Sequence, residues 1–322
     1  MAEPRGGLVV GLLAGLLAGC TAGPVSERSS VSEPSPVSER SPVSERSPVS
    51  ERSIVTTAPN GAREEIPVTI SKPEGPGPFP VVVIMHDCSG LGPRSSGAPE
   101  RWARELRARG YVTVIPDSFT TRGHADGVCT DASPSRGEVA PSRRVRDAYA
   151  ALAHARALPY VDGRHAGLMG GSHGGSTTLA SMAAPQNTWD LLAREKRAGF
   201  AAAVALYPAC GTSLGTWRAD GTGTYRSVAP LLILIGEKDD WTPAPPCVKL
   251  AASTQATEHP VEITVYPGAH HSFDSARPVR FVAGRVNNNA PGGRGATTGG
   301  DATAWADSIR RVIAFFGERL KP

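Results

Sequence analysis

A serine, an acidic pair and a histidine pair stand in this chain where they could form a catalytic site. Ser172 is the centre of a G-x-S-x-G pattern at residues 170–174, between a short apolar run and a helical segment. Such a pattern places the serine on a sharp strand-to-helix corner and exposes its hydroxyl as a nucleophile. In a chain with 36 glycines the pattern also arises by chance, so the surrounding sequence decides its meaning.

A serine hydroxyl is a weak nucleophile until a histidine accepts its proton and a carboxylate orients that histidine. Two segments after Ser172 supply these groups, each directly behind an apolar run. The first contains Asp239 and Asp240, and the second contains His270 and His271. Residue types and spacing alone leave either member of each pair open.

A third set of candidates follows the apolar run at residues 81–85, where His86, Asp87 and Cys88 come in sequence. Acyl transfer needs backbone N–H donors for the oxyanion, one after the nucleophile and one from the first loop of the sheet. The backbone N–H groups of His173 and Cys88 are the predicted donors. The side chains of His86 and Asp87 are explained equally well as residues that shape this loop through hydrogen bonds.

Alternating strand and helix patterns predict an α/β fold around these candidates. Continuous apolar runs are typical of strands buried on both faces, and they occupy residues 81–85, 111–115, 166–171, 199–206, 231–235 and 261–266. Helical patterns occupy residues 99–109, 142–158, 244–255 and 303–320, and another helix follows the turn at Ser172, in the stretch that ends at Leu179. The alternation indicates a mostly parallel central sheet with helices on both faces. Residues 66–71 are predicted as an edge strand because of Pro67, and residues 286–300 as a loop.

Composition narrows the functional classes. The chain has 322 residues, of which 40% are hydrophobic, and a net charge of +4 that is too small and dispersed to predict nucleic-acid binding. Arginine-rich segments 101–109 and 136–146 carry apolar residues at helical spacing, so their arginines are predicted to be solvated. Neither H-E-x-x-H nor the glycine-rich nucleotide motifs occur, so neither a metal nor a cofactor is predicted.

The N-terminus has the pattern of an export signal. Residues 8–17 form an apolar run that is too short to span a membrane, and residues 17–20, LAGC, resemble a bacterial lipobox. The resemblance implies a signal peptide at 1–19, lipidation of Cys20 and attachment to a membrane of the cell envelope. Thr21 after the cysteine favours the outer membrane, facing the periplasm or the exterior. The alternative is a start-site artefact with a chance cysteine.

Within residues 20–53, a V-S-E-R-S-P unit with alternating charges and frequent prolines repeats from Val25 onward. Such a segment cannot bury a core, so it is predicted to be a disordered tether. A single α/β domain is predicted for residues 54–322, which is within the usual size of one domain.

Four cysteines remain after the predicted lipidation site: Cys88, Cys129, Cys210 and Cys247. An even number in an exported protein indicates two disulfides, for which three pairings are possible. Cys88–Cys129 and Cys210–Cys247 are preferred because each would join neighbouring loops at one edge of the sheet. Free thiols are the alternative if the chain is not exported. Cys88 lacks a glycine-rich elbow, so a nucleophilic role is less favoured for it.

Residues 66–320 resemble the dienelactone hydrolase family of α/β-hydrolases. The matching segments are VIMHDCSGL at 83–91, PDSF at 116–119, GGSHGG at 170–175, IGEKDD at 235–240 and AHHSF at 269–273. By this resemblance Ser172 is the nucleophile. Asp239, three residues after a glycine, is the acid, and His271, directly before Ser-Phe, is the base.

The resemblance implies hydrolysis of a small ester or lactone through an acyl-enzyme, without a cofactor. The namesake enzymes have a cysteine where this chain has Ser172, and they hold a substrate carboxylate with arginines. Arg122 falls near one of those arginine positions and is the candidate substrate-binding residue. The other position has no clear match, and Arg277 is only a neighbour of it. A peptidase or acyltransferase on the same fold and a non-catalytic envelope-tethered binding protein are the alternatives.

Overall fold

A computed structural model describes residues 49–58, 60–185 and 199–321. These residues belong to one compact unit, Arg46–Pro322. The predicted signal peptide, the lipidation site Cys20 and most of the predicted tether lie outside the described residues. No helix within the described ranges has the length and apolar character needed to cross a membrane.

Among the described residues, eight strands form the central sheet. They are β1 (Val49–Thr57), β2 (Arg63–Ser71), β3 (Phe79–Met85), β4 (Val112–Pro116), β5 (Val161–Gly171), β6 (Ala202–Leu206), β7 (Leu231–Gly236) and β8 (Glu262–Tyr266). Their order is β1-β2-β4-β3-β5-β6-β7-β8. The strands from β4 to β8 in that order pair in parallel, and β1 and β2 are antiparallel. The prediction of a mostly parallel sheet is therefore confirmed.

Helices cover both faces of this sheet. The described helices are α1 (Ala98–Arg107), α2 (Pro141–Arg156), α3 (His173–Met182), α4 (Ala244–Ser253) and α5 (Ala302–Leu320). Gly167 and Gly170 of β5 point to opposite faces, since side chains alternate along a strand. A Cβ at Gly167 would contact Phe316 and Leu320 of α5, whereas a Cβ at Gly170 would collide with Gly174 of α3. The close approach of both helices explains these two glycines.

The prediction that residues 66–71 form an edge strand is wrong, because β2 lies between β1 and β4. The backbone C=O of Pro67 accepts a hydrogen bond from the N–H of Asp117, which follows the last residue of β4. The N and C=O of one residue face the same side of a strand, so the missing N–H faces a position beyond β4. Pro67 therefore interrupts no ladder hydrogen bond within the sheet.

Strand β1 begins at Val49, so the predicted boundary between tether and domain at residue 53 falls inside it. Ile54 and Thr56 are buried, and Ile54 pairs with Ile66 of β2. Backbone pairing with β2 provides the stability that the polar V-S-E-R-S sequence does not provide through apolar contacts.

The segment predicted as a loop at residues 286–300 contains a strand. β9 (Arg280–Val286) and β10 (Arg294–Thr298) form an antiparallel two-stranded sheet. The loop after β7 contacts this hairpin through a hydrogen bond in which the Trp241 Nε1–H donates to the Val286 carbonyl at 2.8 Å. Its strand conformation depends on such tertiary contacts, which a glycine- and asparagine-rich sequence does not disclose.

Candidate active site

Ser172 occupies the corner between β5 and α3. Its backbone has φ 53° and ψ −116°, a left-handed conformation that is costly for a residue with a side chain. Two neighbouring glycines make the corner possible. A Cβ at Gly174 would collide with the Met85 carbonyl, and one at Gly170 would collide with the carbonyl of Gly174. The elbow predicted from the G-x-S-x-G pattern is present, and it presents the serine side chain at the carboxyl end of β5.

Ser172, His271 and Asp239 form one chain of hydrogen bonds. The Ser172 Oγ lies 2.9 Å from His271 Nε2, and His271 Nδ1 lies 2.8 Å from Asp239 Oδ2. Only 6% of Ser172, 4% of Asp239 and none of His271 is exposed. The arrangement gives the serine a proton acceptor and gives the histidine a carboxylate partner, as general-base activation of a hydroxyl requires.

The structure also distinguishes the members of each pair. Asp240 is exposed, and its Oδ1 accepts from the Thr297 N–H of β10 at 2.8 Å. His270 is half-buried, and its Nδ1 lies 3.0 Å from the Lys238 carbonyl. Neither of these hydrogen bonds involves Ser172, whereas Asp239 and His271 lie in the hydrogen-bonded chain.

Thr242 is a member of this network that the sequence did not reveal. Its Oγ1 lies 2.9 Å from Asp239 Oδ2, 3.0 Å from the Tyr207 carbonyl oxygen and 3.0 Å from His271 Nδ1, and its single proton can be donated to either of the two oxygens. The Asp239 Oδ1 accepts from the backbone N–H groups of Trp241 and Thr242 at 3.0 and 2.8 Å. The turn D-D-W-T, with an aspartate accepting from N–H groups two and three residues on, was the available signal.

Aromatic rings fix the plane of the His271 imidazole. Tyr207 and Trp241 lie with ring centroids 4.8 Å from it. The Tyr207 hydroxyl donates at 2.7 Å to Asp274, which also accepts from Trp102 Nε1 at 2.8 Å. Burial raises the pKa of the Asp274 carboxyl, although these two hydrogen bonds oppose the effect. The hydrogen bonds of Asp274 with Tyr207 and Trp102 thus hold in place the Tyr207 ring that packs against His271.

A cavity of about 570 Å³ opens beside the Ser172 hydroxyl. Its walls come from the elbow, the loop after β3, the start of α2 and the loops after β6, β7 and β9. They include Cys88, Arg136, Ser172, His173, Ser176, Cys210, Trp241, Thr242, Asn288 and Asn289. His173 is the first residue of α3, where backbone N–H groups have no helical acceptor. The structure thus places His173 and Cys88, the predicted oxyanion donors, on the wall of the cavity that contains Ser172.

The structure contains both preferred disulfides, Cys88–Cys129 and Cys210–Cys247. Cys88 is therefore not a free thiol. Cys88 and Cys210 each line the cavity, so each bridge ties one of its walls to another part of the domain.

His86 and Asp87 hold the loop after β3 in shape. The N–H of Ser118 donates to His86 Nε2 at 3.2 Å, so the ring proton is on Nδ1, which donates to the Asp87 carbonyl at 2.9 Å. The Asp87 Oδ1 accepts from the Ser89 N–H at 2.7 Å. Burial, and then the charge of Arg144, lower the pKa of His86 well below its usual value.

The structure does not bring Arg122 to the cavity. Its guanidinium bonds Asp147 at 2.7 and 2.9 Å and Glu64 at 2.7 and 3.1 Å, with only 7% of its side chain exposed. Burial acts to lower the pKa of Arg122, but the hydrogen bonds and charges of its two carboxylate partners raise it. Arg122 thus joins β2, through Glu64, to α2, through Asp147. Its guanidinium is already paired with these two carboxylates. Arg277 is exposed and is not among the residues that line the cavity.

The prediction that the arginines of residues 136–146 are solvated is wrong for two of them, Arg143 and Arg144. Arg143 and Arg144 are buried on α2, because that helix packs against the sheet on one side and α3 on another. Arg136 precedes α2 in a short 3-10 helix and lines the cavity. Among the described residues, no group of three or more His, Cys, Asp or Glu side chains is arranged to hold a metal ion.

Residues 66–320 match the sequence model of the dienelactone hydrolase family. A Klebsiella pneumoniae protein assigned as a dienelactone hydrolase is 19% identical, with a TM-score of 0.55 over 84% of this chain and 99% of that one. The esterase 2 of Thermogutta terrifontis, phosphonylated by cyclosarin, is 19% identical, with a TM-score of 0.59 over 87% and 98%. A dienelactone hydrolase-like promiscuous phosphotriesterase from metagenomic libraries is 20% identical, with a TM-score of 0.53 over 84% and 98%. No curated protein sequence matches the chain.

Proposed function

The chain belongs to the dienelactone hydrolase family, and from that premise we propose that it is a serine hydrolase of carboxylic esters or lactones. The observation that carries the proposal is the chain of hydrogen bonds from Ser172 through His271 to Asp239, with heavy-atom distances of 2.9 and 2.8 Å. An esterase among the proteins of the same fold supports ester chemistry. The proposed nucleophile is the hydroxyl of Ser172, because this chain has a serine at the elbow. The four cysteines that follow the predicted lipidation site are all in disulfides, so none of them is a free thiol.

In the first half of the reaction, the Ser172 Oγ attacks the carbonyl carbon of the ester while His271 Nε2 accepts its proton. The positive charge on the imidazole is stabilised by Asp239, which accepts the hydrogen bond from Nδ1–H. The tetrahedral oxyanion would accept hydrogen bonds from the backbone N–H groups of His173 and Cys88. When the intermediate collapses, the C–O bond to the alcohol breaks and His271 protonates the leaving oxygen.

In the second half, water enters the cavity and attacks the acyl carbon bound to Ser172. His271 Nε2 accepts a proton from that water, a second tetrahedral intermediate forms, and its collapse releases the carboxylic acid. The proton returns to Ser172, so the site is restored without any net change. A lactone follows the same course, except that the alcohol and the acid remain in one product.

The test is a comparison of two serines, one helical turn apart, in the same cavity. Ser172→Ala is expected to abolish hydrolysis of p-nitrophenyl acetate and dihydrocoumarin and labelling by a fluorophosphonate. Ser176→Ala is the matched control, because Ser176 also lines the cavity but its hydroxyl bonds only backbone groups of Ser172 and Ala209. It should remain labelled. Hydrolysis or labelling that persists in Ser172→Ala would refute the proposal, and acetanilide turnover at a comparable rate would favour a peptidase.

We further propose that the protein is exported and lipid-anchored at Cys20. The lipobox-like LAGC at residues 17–20 supports this, and so do the two disulfides, since such bonds persist in oxidising compartments. Metabolic labelling of the full chain with an alkynyl fatty acid is expected to mark the wild type but not Cys20→Ser. Equal labelling of both proteins, or of neither, would contradict lipidation at this residue.

A further inference from the structure

His173 is one of the residues that line the cavity beside Ser172, and one of its ring nitrogens is hydrogen-bonded in the protein interior. Its Nδ1 lies 2.8 Å from Nη1 of Arg144. A guanidinium can only donate hydrogen bonds, so Nδ1 must be the acceptor and carries no proton. The neutral ring therefore has its proton on Nε2, and His173 is one of the residues that line the cavity. Among the described residues, the hydrogen bond of the His173 ring is the one at Nδ1, and Nε2 is bonded to none of them.

The environment of Arg144 keeps its guanidinium in place and protonated, so that His173 remains in the tautomer with its proton on Nε2. Its side chain is fully buried on α2, and its guanidinium lies 5.0 Å from the centre of the Phe119 ring. Burial lowers the pKa of Arg144 to about 10, an effect that the charges of Asp147 and Asp87 oppose, so the group is protonated at neutral pH. Phe119 also contacts the His173 ring edge-on at 5.6 Å. The ring is thus fixed in plane as well as in protonation.

Protonation of His173 is disfavoured in the same environment. Burial lowers its pKa well below the usual value, and the charges of Arg144 and Arg136 lower it further. The imidazole next to the nucleophile consequently remains a neutral donor while His271 gains and loses a proton. Polar hydrogens inside proteins almost always find an acceptor, and because His173 lines the cavity, a bound substrate can supply one.

We propose that the Nε2–H of His173 recognises the substrate by donating a hydrogen bond to an oxygen atom of the acyl or alcohol group other than the scissile ester. The preferred substrates would be polar esters or lactones that carry a carbonyl, ether or hydroxyl oxygen near the reacting carbon. This inference rests on the proposed function, since it requires Ser172 to attack an ester in this cavity. Trp241, on another part of the wall, offers an apolar surface that an apolar portion of the same substrate can contact.

The test uses ester pairs that differ by one neutral acceptor oxygen, so that the charge of Arg136 in the cavity affects both members alike. On the acyl side, p-nitrophenyl 4-oxopentanoate is compared with p-nitrophenyl pentanoate. On the alcohol side, 2-methoxyethyl acetate is compared with butyl acetate. The measured quantity is the ratio of kcat/KM within each pair, from which any general effect of a substitution at His173 on its backbone N–H cancels.

The wild type is expected to favour the acceptor-bearing ester by about three- to tenfold in at least one pair, as one neutral hydrogen bond allows. In His173→Leu, which cannot donate this hydrogen bond, the ratio should fall close to the ratio of the intrinsic reactivities of the two esters. His173→Gln, whose amide can still donate, should retain most of the preference. A wild type without preference, or a preference unchanged in His173→Leu, would overturn the inference.

Three further measurements separate this inference from the proposed function. The rate of fluorophosphonate labelling at Ser172 and the melting temperature show whether each variant keeps a folded and competent site. Nitrogen-15 spectra of labelled histidine should show Nδ1 unprotonated and Nε2 protonated at His173, and the reverse assignment would also overturn the inference. If no ester is cleaved by the wild type, the proposed function fails. If esters are cleaved but the ratios do not depend on His173, only the recognition role fails.

Discussion

Asp239 and Asp240 are adjacent in the chain, yet their carboxylates hold different parts of the site. The Asp239 Oδ2 lies 2.8 Å from His271 Nδ1, whereas the Asp240 Oδ1 accepts from the Thr297 N–H of β10. The first carboxylate is buried and the second is exposed. Only Asp239 is placed to stabilise a charged histidine, and Asp240 attaches the β9–β10 hairpin to the loop after β7.

Asp239→Asn is expected to lower kcat for p-nitrophenyl acetate by about 10³- to 10⁴-fold, because the amide favours the wrong histidine tautomer. Asp240→Asn is the matched control and should lower kcat by less than about tenfold, since it affects only a hairpin contact. Steady-state kinetics of the two purified variants measure this difference directly. Equal losses in both variants would show that the acid has been assigned to the wrong residue.

Thr242 should act as a positioning residue for His271. Its hydroxyl links Asp239, His271 and the Tyr207 carbonyl. Thr242→Val keeps the shape but removes the hydroxyl, and we expect kcat to fall by about five- to tenfold, the size of one lost hydrogen bond. Thr242→Ser restores the hydroxyl and should recover most of that loss. A serine variant as slow as the valine variant would point to packing of the γ-methyl group instead.

Arg122 is predicted to contribute to stability and not to substrate binding. Arg122→Met would leave Asp147, whose side chain is fully buried, without its strongest partner. Breaking such a pair typically costs about 3–5 kcal/mol in the free energy of unfolding. The KM for neutral esters should stay within about twofold of the wild-type value, since Arg122 does not line the cavity.

Urea unfolding at neutral pH measures the loss at Arg122. Arg310→Met is the comparison, because Arg310 pairs with Asp307 on the surface, with 77% of its side chain exposed. Exposed pairs contribute little to stability, so this variant should unfold close to the wild type. A raised KM in Arg122→Met without a loss of stability would return Arg122 to the role predicted from the sequence.

The residues of the hydrogen-bonded chain could be found from the sequence because each follows a recognisable element. The elbow at Ser172 has its own glycine pattern, and Asp239 and His271 come directly after apolar runs that form β7 and β8. Parallel strands bring their carboxyl ends to one edge, so order along the chain was enough to predict proximity.

The missed features depend on contacts between distant elements. The burial of Arg144 follows from α2 packing between the sheet and α3, whereas its local sequence has the composition of a solvated helix face. Pro67 suggested an edge strand, but it lies opposite Asp117, beyond the end of β4, so its missing N–H does not exclude β2 from the interior of the sheet. The contact of Thr242 with His271 joins residues 29 apart through two separate loops. Local periodicity contains no signal for any of these.

The two disulfides should contribute similarly to stability but differently to catalysis. They close loops with sequence separations of 41 and 37 residues, for which the chain-entropy estimate is about 4 kcal/mol each. Cys88 also contributes a proposed oxyanion donor from its backbone. Cys88→Ala/Cys129→Ala is therefore expected to lose considerably more of kcat than Cys210→Ala/Cys247→Ala at a similar loss of stability. Urea unfolding and steady-state kinetics of both double variants provide the comparison, and a larger kcat loss in the second pair would contradict it.

Two buried histidines should make the fold sensitive to mild acid. Burial, followed by the charge of Arg144, lowers the pKa of both His86 and His173 well below the usual value. In the unfolded chain each histidine binds a proton as the pH falls below about 6.5, whereas the folded protein does not. Stability is therefore fully present above pH 6.5 and is lost as the pH falls, with a slope of up to about 1.4 kcal/mol per pH unit for each histidine.

Urea unfolding between pH 7.5 and pH 5 measures this slope, which His86→Gln and His173→Gln should each reduce by about 1 kcal/mol per pH unit. Unchanged slopes would mean that both rings take up protons in the folded protein as they do in the unfolded chain, which the hydrogen bond from Arg144 to His173 Nδ1 opposes.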